Sequence, residues 1–439
     1  MDTPICDFVR RYVQSGTMRL HMPGHKGVGP LGFEQLDITE VQGADSLYEA
    51  DGIIAQSEAN ASALFGCPTF YSTEGSSQCI RAMVYLAMLD AHTKGKPCRI
   101  AAGRNAHKTF LSAAALVDVD VVWLYPKDGG SYLSCPITQE DILPLEDVTA
   151  LYLTSPDYLG NMVDIAAISE ICRKKDILLL VDNAHGAYLR FLEPSLHPMD
   201  LGADLCCDSA HKTLPVLTGG AYLHIRDPKL ALHVKDALVL FGSTSPSYLI
   251  LQSLDAANAI LADPVYRCSL AELSRLADNA RQTLCRHGLD AHQGNEPLKL
   301  TIFSRHYGYT GTELAEILRK NGMECEFSDP DFLVLMLTPA IKEPQLQQLI
   351  AVLTSLPRRL ETWSMPPQLG KAERMLSIRQ AMFAPSETIA VEDSLGRILA
   401  SPSVGCPPAV PILVCGERID ENAIACFRYY GIDTCHVCK

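Results

Sequence analysis

Between residues 99 and 225, short runs of apolar and β-branched residues recur, each followed by a polar turn and then by residues with helical spacing. Strands are expected at 99–102, 119–124, 150–154, 177–182, 204–207 and 220–225, with helices at about 106–115 and 164–174. Runs this apolar have no wet face, so they are buried on both sides. Such strands, alternating with helices, form a mainly parallel sheet covered on both faces. Ligands of these sheets sit beyond the carboxyl ends of the strands. The chain is therefore expected to be α/β, and the residues that stand where the apolar runs stop are the first to examine.

Four groups stand there. The run 177–182 ends on Asp182 and continues through Asn183, Ala184, His185 and Gly186. The run 204–207 stops at Asp208, and a short turn of Ser209, Ala210 and His211 leads to Lys212. His107 follows the first of the strands. Gly75, Ser76 and Ser77 follow a short strand at 69–72 and lead into an apolar helix over 79–89. A Ser-X-His-Lys string is by itself most often a solvated loop. An acid and a lysine delivered to one sheet edge instead suggest a Schiff-base lysine with an acid partner for a pyridine nitrogen. The Gly75–Ser77 turn offers backbone N–H groups, hydroxyl donors and the positive end of a helix dipole, which together suit an anion; the same string also serves as an ordinary helix cap. It lacks the lysine of a P-loop and the glycine spacing of a dinucleotide site.

Composition removes several classes of function. The 439 residues suffice for two or three domains with sizeable cores, and 47% hydrophobic with 20% charged residues is ordinary for a globular protein. The formal net charge of −14 argues against nucleic acid or an anionic membrane surface as partner. No apolar run reaches the roughly 18 residues of a membrane span, and the start of the chain has no apolar core of signal-peptide length. The 16 cysteines are scattered, with Cys206 and Cys207 adjacent inside an expected strand, which points to reduced thiols in a cytoplasm. Cys406, Cys415, Cys426, Cys435 and Cys438 crowd the end of the chain. The pair Cys435 and Cys438 is half of a zinc-ribbon pattern, but the second pair is missing, so these are read as small buried hydrophobes and no metal is expected.

The organisation expected is an arm over 1–50, a large domain over 51–262, a smaller α/β domain over 263–356, a linker over 357–370 and a terminal segment over 371–439. The linker assignment rests on three prolines and a glycine within it. The smaller domain shows strands at 298–303 and 332–337 and helices at 312–320 and 343–353.

Several stretches, in this order, resemble the ornithine/lysine/arginine decarboxylase family of fold type I pyridoxal-phosphate enzymes. They are His21-Met-Pro-Gly-His-Lys-Gly27, Asp37-Ile-Thr-Glu40 with Asp45-Ser-Leu47, Gly75-Ser-Ser77, Arg104-Asn-Ala-His-Lys108 and Ser155-Pro with Tyr158 and Gly160. They continue with Asp182-Asn-Ala-His-Gly-Ala187, Ser209-Ala-His-Lys-Thr213, Thr244-Ser-Pro-Ser-Tyr248 and Pro407-Pro-Ala-Val-Pro411 with Gly416 and Glu417. Each is weak singly; their shared order covers nearly the whole chain.

The resemblance implies a fold type I large domain and pyridoxal 5'-phosphate as cofactor. It implies that Lys212 forms the Schiff base and that Asp182 keeps the pyridine nitrogen protonated. Ala184 would let the ring lie flat on one face, with His107 stacked on the other and His185 beside it. Gly75, Ser76, Ser77, Ser209 and His211 would hold the phosphate, joined by Thr244 or Ser245 from a second subunit. A homodimer with shared sites, a basic amino acid as substrate, and no nucleic-acid or membrane partner are implied likewise. The reaction implied is decarboxylation of arginine, lysine or ornithine, with Lys212 or His211 returning a proton to Cα. Other fold type I reactions, such as transamination or carbon–sulfur lysis, and a degenerate cofactor-binding protein stay open here.

The chain departs from the family at Glu74, where relatives carry Asn, and at Asp157. It departs again at Ser401 and Cys406, where relatives carry an acid and a tyrosine. Asp157 is then the candidate replacement for the acid that meets the distal amine of the substrate. The receiver-like N-terminal domain of the large relatives has no counterpart, which suggests a compact, biosynthetic form.

Overall fold

The structure, a computed structural model, describes residues 1–126, 131–361, 367, 370–402 and 408–439. Cys406 and Pro407 lie outside the described residues. Among these residues the strands are, in chain order, β1 (Thr69–Ser72), β2 (Arg99–Gly103), β3 (Asp120–Leu124), β4 (Ala150–Thr154), β5 (Leu178–Asp182), β6 (Leu205–Asp208) and β7 (Ala221–Ile225). They continue with β8 (Asp290–Gln293), β9 (Lys299–Phe303), β10 (Phe327–Ser328), β11 (Phe332–Met336), β12 (Ser386–Ala390), β13 (Leu399–Ser401) and β14 (Thr434–Cys438). The expected strands and helices are present, with ends displaced by a few residues at most. The chain forms two compact units, Met1–Pro97 with Cys172–Cys268, and Cys98–Ile171 with Ser269–Lys439.

In the first unit the strand order is β1, β7, β6, β5. β5 and β6 are parallel, with Leu180 opposite Leu205 and Asp182 opposite Cys207. β7 runs antiparallel to β6, and β1 antiparallel to β7. The alternation in sequence suggests another parallel step between β6 and β7, and the structure differs there for a simple reason. A parallel return needs a crossover of about a dozen residues or more, usually a full helix. The connection after β6 contains only a four-residue helix, Ala210–Thr213, before the chain turns back. Two reversals restore direction, so β1, β5 and β6 point their carboxyl ends to one edge. That edge receives Gly75, Asp182 and Asp208 together.

The helix expected from 79 begins earlier, at Gly75, and runs through Thr93. Its apolar face buries Cys79, Ile80, Met83, Val84, Leu86 and Ala87. Gly75 has φ +70°, a left-handed conformation that favours glycine, and its N–H donates to Gly219 O at 2.7 Å. The start of this helix is thereby tied to the turn that precedes β7. Asp45 anchors the neighbouring helix Ile53–Phe65: its Oδ2 accepts from the N–H groups of Gly52 and Ile54, each at 2.9 Å.

In the second unit β4, β2 and β3 are ordered side by side, with β2 parallel to both of the others. A four-stranded antiparallel sheet follows in the order β10, β11, β9, β8, and a three-stranded one in the order β12, β14, β13. The helix Gly311–Lys320 starts with a capping box between Thr310 and Glu313, and buries Leu314, Ala315 and Leu318. Among the described residues no helix is long and apolar enough to cross a membrane.

Candidate active site

The first unit gathers most of the residues expected to carry chemistry. Asp182 closes β5 and is buried; its Oδ1 accepts from the Ala184 N–H at 3.1 Å and from the Cys207 thiol at 3.7 Å. Gly186 ends this turn, and a Cβ there would collide with the Asn183 side chain and lie 2.7 Å from Leu189 Cδ1. The small residues after Asp182 are thus required by the tightness of the turn.

Lys212 lies in the one-turn helix after β6, with Nζ 2.8 Å from His185 Nε2. A histidine from the β5 turn and a lysine from the β6 turn therefore meet. Ser209 donates from its hydroxyl to Ser76 Oγ at 2.7 Å, which joins the β6 turn to the start of the helix Gly75–Thr93. His211 donates from Nδ1 to Gly220 O at 3.0 Å, which leaves Nε2 as its second polar atom. A Cβ on Gly75 would meet only His211 Cε1, at 3.9 Å. Gly75, Ser76, Ser209 and His211 are thus one cluster, and Ser77 stands in the same first helical turn.

Glu74 precedes this turn without capping the helix by its side chain. Its Oε1 accepts from the Ser243 N–H at 2.9 Å, so the carboxylate is directed to the loop that holds Thr244 and Ser245. Those two residues are exposed.

The position that fixes the lysine turn is Asp208, which sequence reading used only as the end of a strand. It is fully buried, and its carboxylate accepts from Asn183 Nδ2 at 2.7 Å, His197 Nε2 at 3.1 Å and His224 Nε2 at 3.0 Å. Burial opposes ionisation, but the two histidines and their hydrogen bonds outweigh it and hold the carboxyl well below the usual range. Burial pushes His224 below the ordinary histidine value. His197, Asp208 and His224 are the one group of metal-type ligands among the described residues. The hydrogen bonds favour a proton network: His197 Nδ1 accepts from the Met199 N–H at 3.3 Å, so the neutral ring carries its proton on Nε2, toward Asp208. A polar His224 in the middle of the apolar run 220–225 was the available signal.

The second unit holds His107, which caps the helix Lys108–Val117: Nδ1 accepts from the Thr109 N–H at 3.1 Å. The preceding Arg104 is 3% exposed, and its Nη2 lies 3.1 Å from Glu417 Oε2, also 3% exposed. Arg104 also donates to Pro411 O at 3.2 Å and Ile412 O at 3.0 Å. Glu417 further accepts from the Val414 N–H at 2.9 Å and the Tyr125 hydroxyl at 3.3 Å. Lys108 N–H donates to Ala409 O at 2.9 Å. Two motifs quoted above only for their likeness to a family thus form one buried staple, which holds the terminal segment against the turn that presents His107.

The expectation for Asp157 is corrected. It is buried, and Oδ1 accepts from the Leu159 and Asn161 N–H groups, each at 2.9 Å, while Oδ2 accepts from Asn161 Nδ2 at 2.9 Å. Burial raises its carboxyl above the usual range, opposed by Asn161, Ser134 and Lys299. Asp157 closes the 157–161 turn and is spent on it, so it is not a substrate acid. Ser401 ends β13. Of the terminal cysteines, Cys415, Cys426 and Cys435 are buried, and burial pushes the Cys415 thiol up to about 12 and Cys426 to about 11.

A lysine and an acid at the ends of neighbouring parallel strands, beside a glycine-serine helix start, are features of the fold type I architecture, and comparison with solved structures agrees. The lysine decarboxylase of Francisella novicida aligns over 100% of this chain and 81% of its own with a TM-score of 0.82 at 17% identity. Lysine decarboxylase A from Pseudomonas aeruginosa aligns over 98% and 76% with a TM-score of 0.80 at 18% identity. The family model for Orn/Lys/Arg decarboxylase, major domain, matches residues 3–304. The chain belongs to that family, and is a pyridoxal-phosphate-dependent amino-acid decarboxylase. Curated relatives include the arginine decarboxylase of Halalkalibacterium halodurans, 30% identical over 97% of this chain and 93% of its own length. The arginine decarboxylase of Bacillus subtilis is 28% identical over 97% and 92%.

Proposed function

We propose that the protein decarboxylates a basic amino acid, arginine, lysine or ornithine, to the corresponding amine, with Lys212 as the residue that carries pyridoxal 5'-phosphate. The observation that supports this most is the meeting of Lys212 Nζ with His185 Nε2 at 2.8 Å, at the strand edge where Asp182 is buried. The residues fit the cofactor by their chemistry. A buried carboxylate suits a protonated ring nitrogen, and hydroxyls at a helix start suit a phosphate.

Bound there, the cofactor would supply an electron-withdrawing ring able to accept the electron pair released with CO₂. Asp182 holds the proton of the ring nitrogen. Ala184 would leave room for the ring, and stacking on it would be the role of His107. Ser76, Ser77, Ser209 and His211, with the backbone at Gly75, bind the phosphate, joined by Thr244 or Ser245 of a second subunit in a homodimer. His185 orients the Lys212 amine. Lys212 or His211 returns a proton to the substrate Cα, with the His211 ring held in place by the bond from Nδ1 to Gly220 O.

Purified protein with pyridoxal phosphate, incubated separately with arginine, lysine and ornithine, tests this by chromatography of the amines. One of the three amines is expected, and Lys212→Ala should release none and lose the cofactor absorbance of wild type. Intact cofactor absorbance with no amine from any of the three substrates would refute the reaction, and retained absorbance in Lys212→Ala would refute the site.

A further inference from the structure

The second unit contains a cavity of about 380 Å³ whose chemistry no step above uses. Its walls include Tyr132, Tyr429, Tyr430 and Phe327, with Asp329 from the turn between β10 and β11, and Arg428. Tyr132 and Tyr430 meet edge-on with ring centres 4.6 Å apart, and Tyr429 and Tyr430 likewise at 5.0 Å. Arg428 is exposed and pairs with Glu392 at 3.3 Å.

Asp329 is 6% exposed. Its Oδ1 accepts from the N–H groups of Asp331 at 2.8 Å and Phe332 at 2.7 Å, whereas Oδ2 is buried and has no hydrogen-bond partner. Asp331, 1% exposed, is also acidic, and its Oδ1 is taken by Arg305 Nε at 2.9 Å and by the Tyr429 hydroxyl at 2.6 Å. Arg305 donates again to the Tyr429 oxygen at 2.8 Å, so this guanidinium is committed to Asp331 and Tyr429. Two buried carboxylates therefore share one cation, and no ion pair involves Asp329 among the described residues. Asp331 Oδ2 is likewise buried without a hydrogen-bond partner, so two carboxylate oxygens lack donors and the pair is short of one positive charge, which is unfavourable. Burial, reinforced by Asp331, raises the Asp329 carboxyl to about 7, as expected where the counter-charge is missing. Tyrosine faces around such a group suit a cation that is itself partly apolar.

We propose that this cavity binds a small organic cation, a primary alkylammonium or alkylguanidinium, with Asp329 Oδ2 as its counter-ion and the tyrosine rings as its walls. None of these residues is assigned to the cofactor or to the reaction, and the proposal stands without either. Amines of this class are also what the proposed reaction would release.

The probes are n-butylammonium and butylguanidinium, which carry no carboxylate and so cannot be turned over, titrated calorimetrically into the cofactor-loaded protein. One molecule per chain should bind, and the neutral n-butanol should not compete. Asp329→Asn keeps the shape and one acceptor but removes the charge, and should weaken binding about ten- to a hundred-fold, the range of a charge-assisted hydrogen bond. Lys212→Ala should bind the probes as wild type does, since the reacting amine plays no part. Saturation transfer from tyrosine ring protons to the butyl chain reports the walls in wild type, and covers the case in which Asp329→Asn does not fold. Absence of binding, unchanged affinity in Asp329→Asn, loss of binding in Lys212→Ala, or absence of tyrosine transfer would each overturn the proposal.

Discussion

Replacing Asp208 by asparagine tests how the lysine turn is held. The carboxylate accepts from Asn183, His197 and His224, all of them buried. Asparagine has the same shape but must aim its amide nitrogen at one set of donors. The less costly choice aims it at Asn183 Nδ2, which loses that bond and leaves a buried donor unpaired, about 1.5–3 kcal/mol. The two histidine bonds survive but change from charged to neutral acceptors, together worth about 1–2 kcal/mol more. The sum is about 3–5 kcal/mol of folding stability. The lowered carboxyl value of Asp208 shows that the fold favours its charged form in spite of burial, so the loss of charge is not offset by easier desolvation. Urea unfolding of the cofactor-free protein at neutral pH measures the difference.

The pH dependence gives an independent check. His224 is held below its ordinary value, so the unfolded chain takes up a proton near pH 6.5 that the fold resists, and stability declines as pH falls below that point. Asp208, also depressed, loses its contribution only below about pH 4, as its carboxyl is protonated. Asp208 is what raises His224 against burial. Without its charge His224 resists protonation further, and the gap between wild type and Asp208→Asn should widen from pH 7 to pH 5. A variant within about 0.5 kcal/mol of wild type, or a gap that narrows from pH 7 to pH 5, would refute the reasoning.

Arg104→Met or Glu417→Gln alone should destabilise the protein by about 3–5 kcal/mol, because each leaves part of a buried pair uncompensated, whereas the double variant should recover most of that loss. Thermal unfolding of the three variants checks this, and singles that cost under about 1 kcal/mol would place the pair among ordinary surface bridges. Gly186→Ala should cost about 1–3 kcal/mol in the same assay, since its Cβ meets Asn183 and Leu189 in a closed turn. Ser209→Ala should raise the dissociation constant for pyridoxal phosphate about ten- to a hundred-fold, by loss of one hydroxyl donor to a charged group. Equilibrium dialysis measures it, and an unchanged constant would remove Ser209 from the phosphate site.

Asp208 and Arg104 illustrate one design. The residues proposed to touch cofactor or substrate stand on short turns, and such turns are rigid only when something beneath them is. For Lys212 the support is the carboxylate at the end of β6; for His107 it is the staple between Arg104 and Glu417. Neither pair reaches the reacting atoms in the roles proposed here, yet both decide where those atoms lie.

Sequence alone determined the local part of this picture. Apolar runs that stop at Asp182 and Asp208 are strands because their residues favour a pleated, buried surface, and the polar groups that follow must lie at strand ends. The positions of Gly75, His107, Asp182 and Lys212 were legible for that reason, and the shared order of the motifs made the family legible too. Long-range pairing was not. The reversal of β7 depended on a connection that holds only a four-residue helix instead of a full crossover helix, and the fate of Asp157 on which N–H groups the 157–161 turn aimed at it. Glu417 lies 313 residues from Arg104, and no local periodicity encodes such a contact. The tertiary structure alone decided these, and it alone brought His197 and His224 onto Asp208 and set Asp329 among tyrosines. Hydrogen bonds and ion pairs between distant segments depend on where the packed strands carry their side chains, and that is a property of the whole fold.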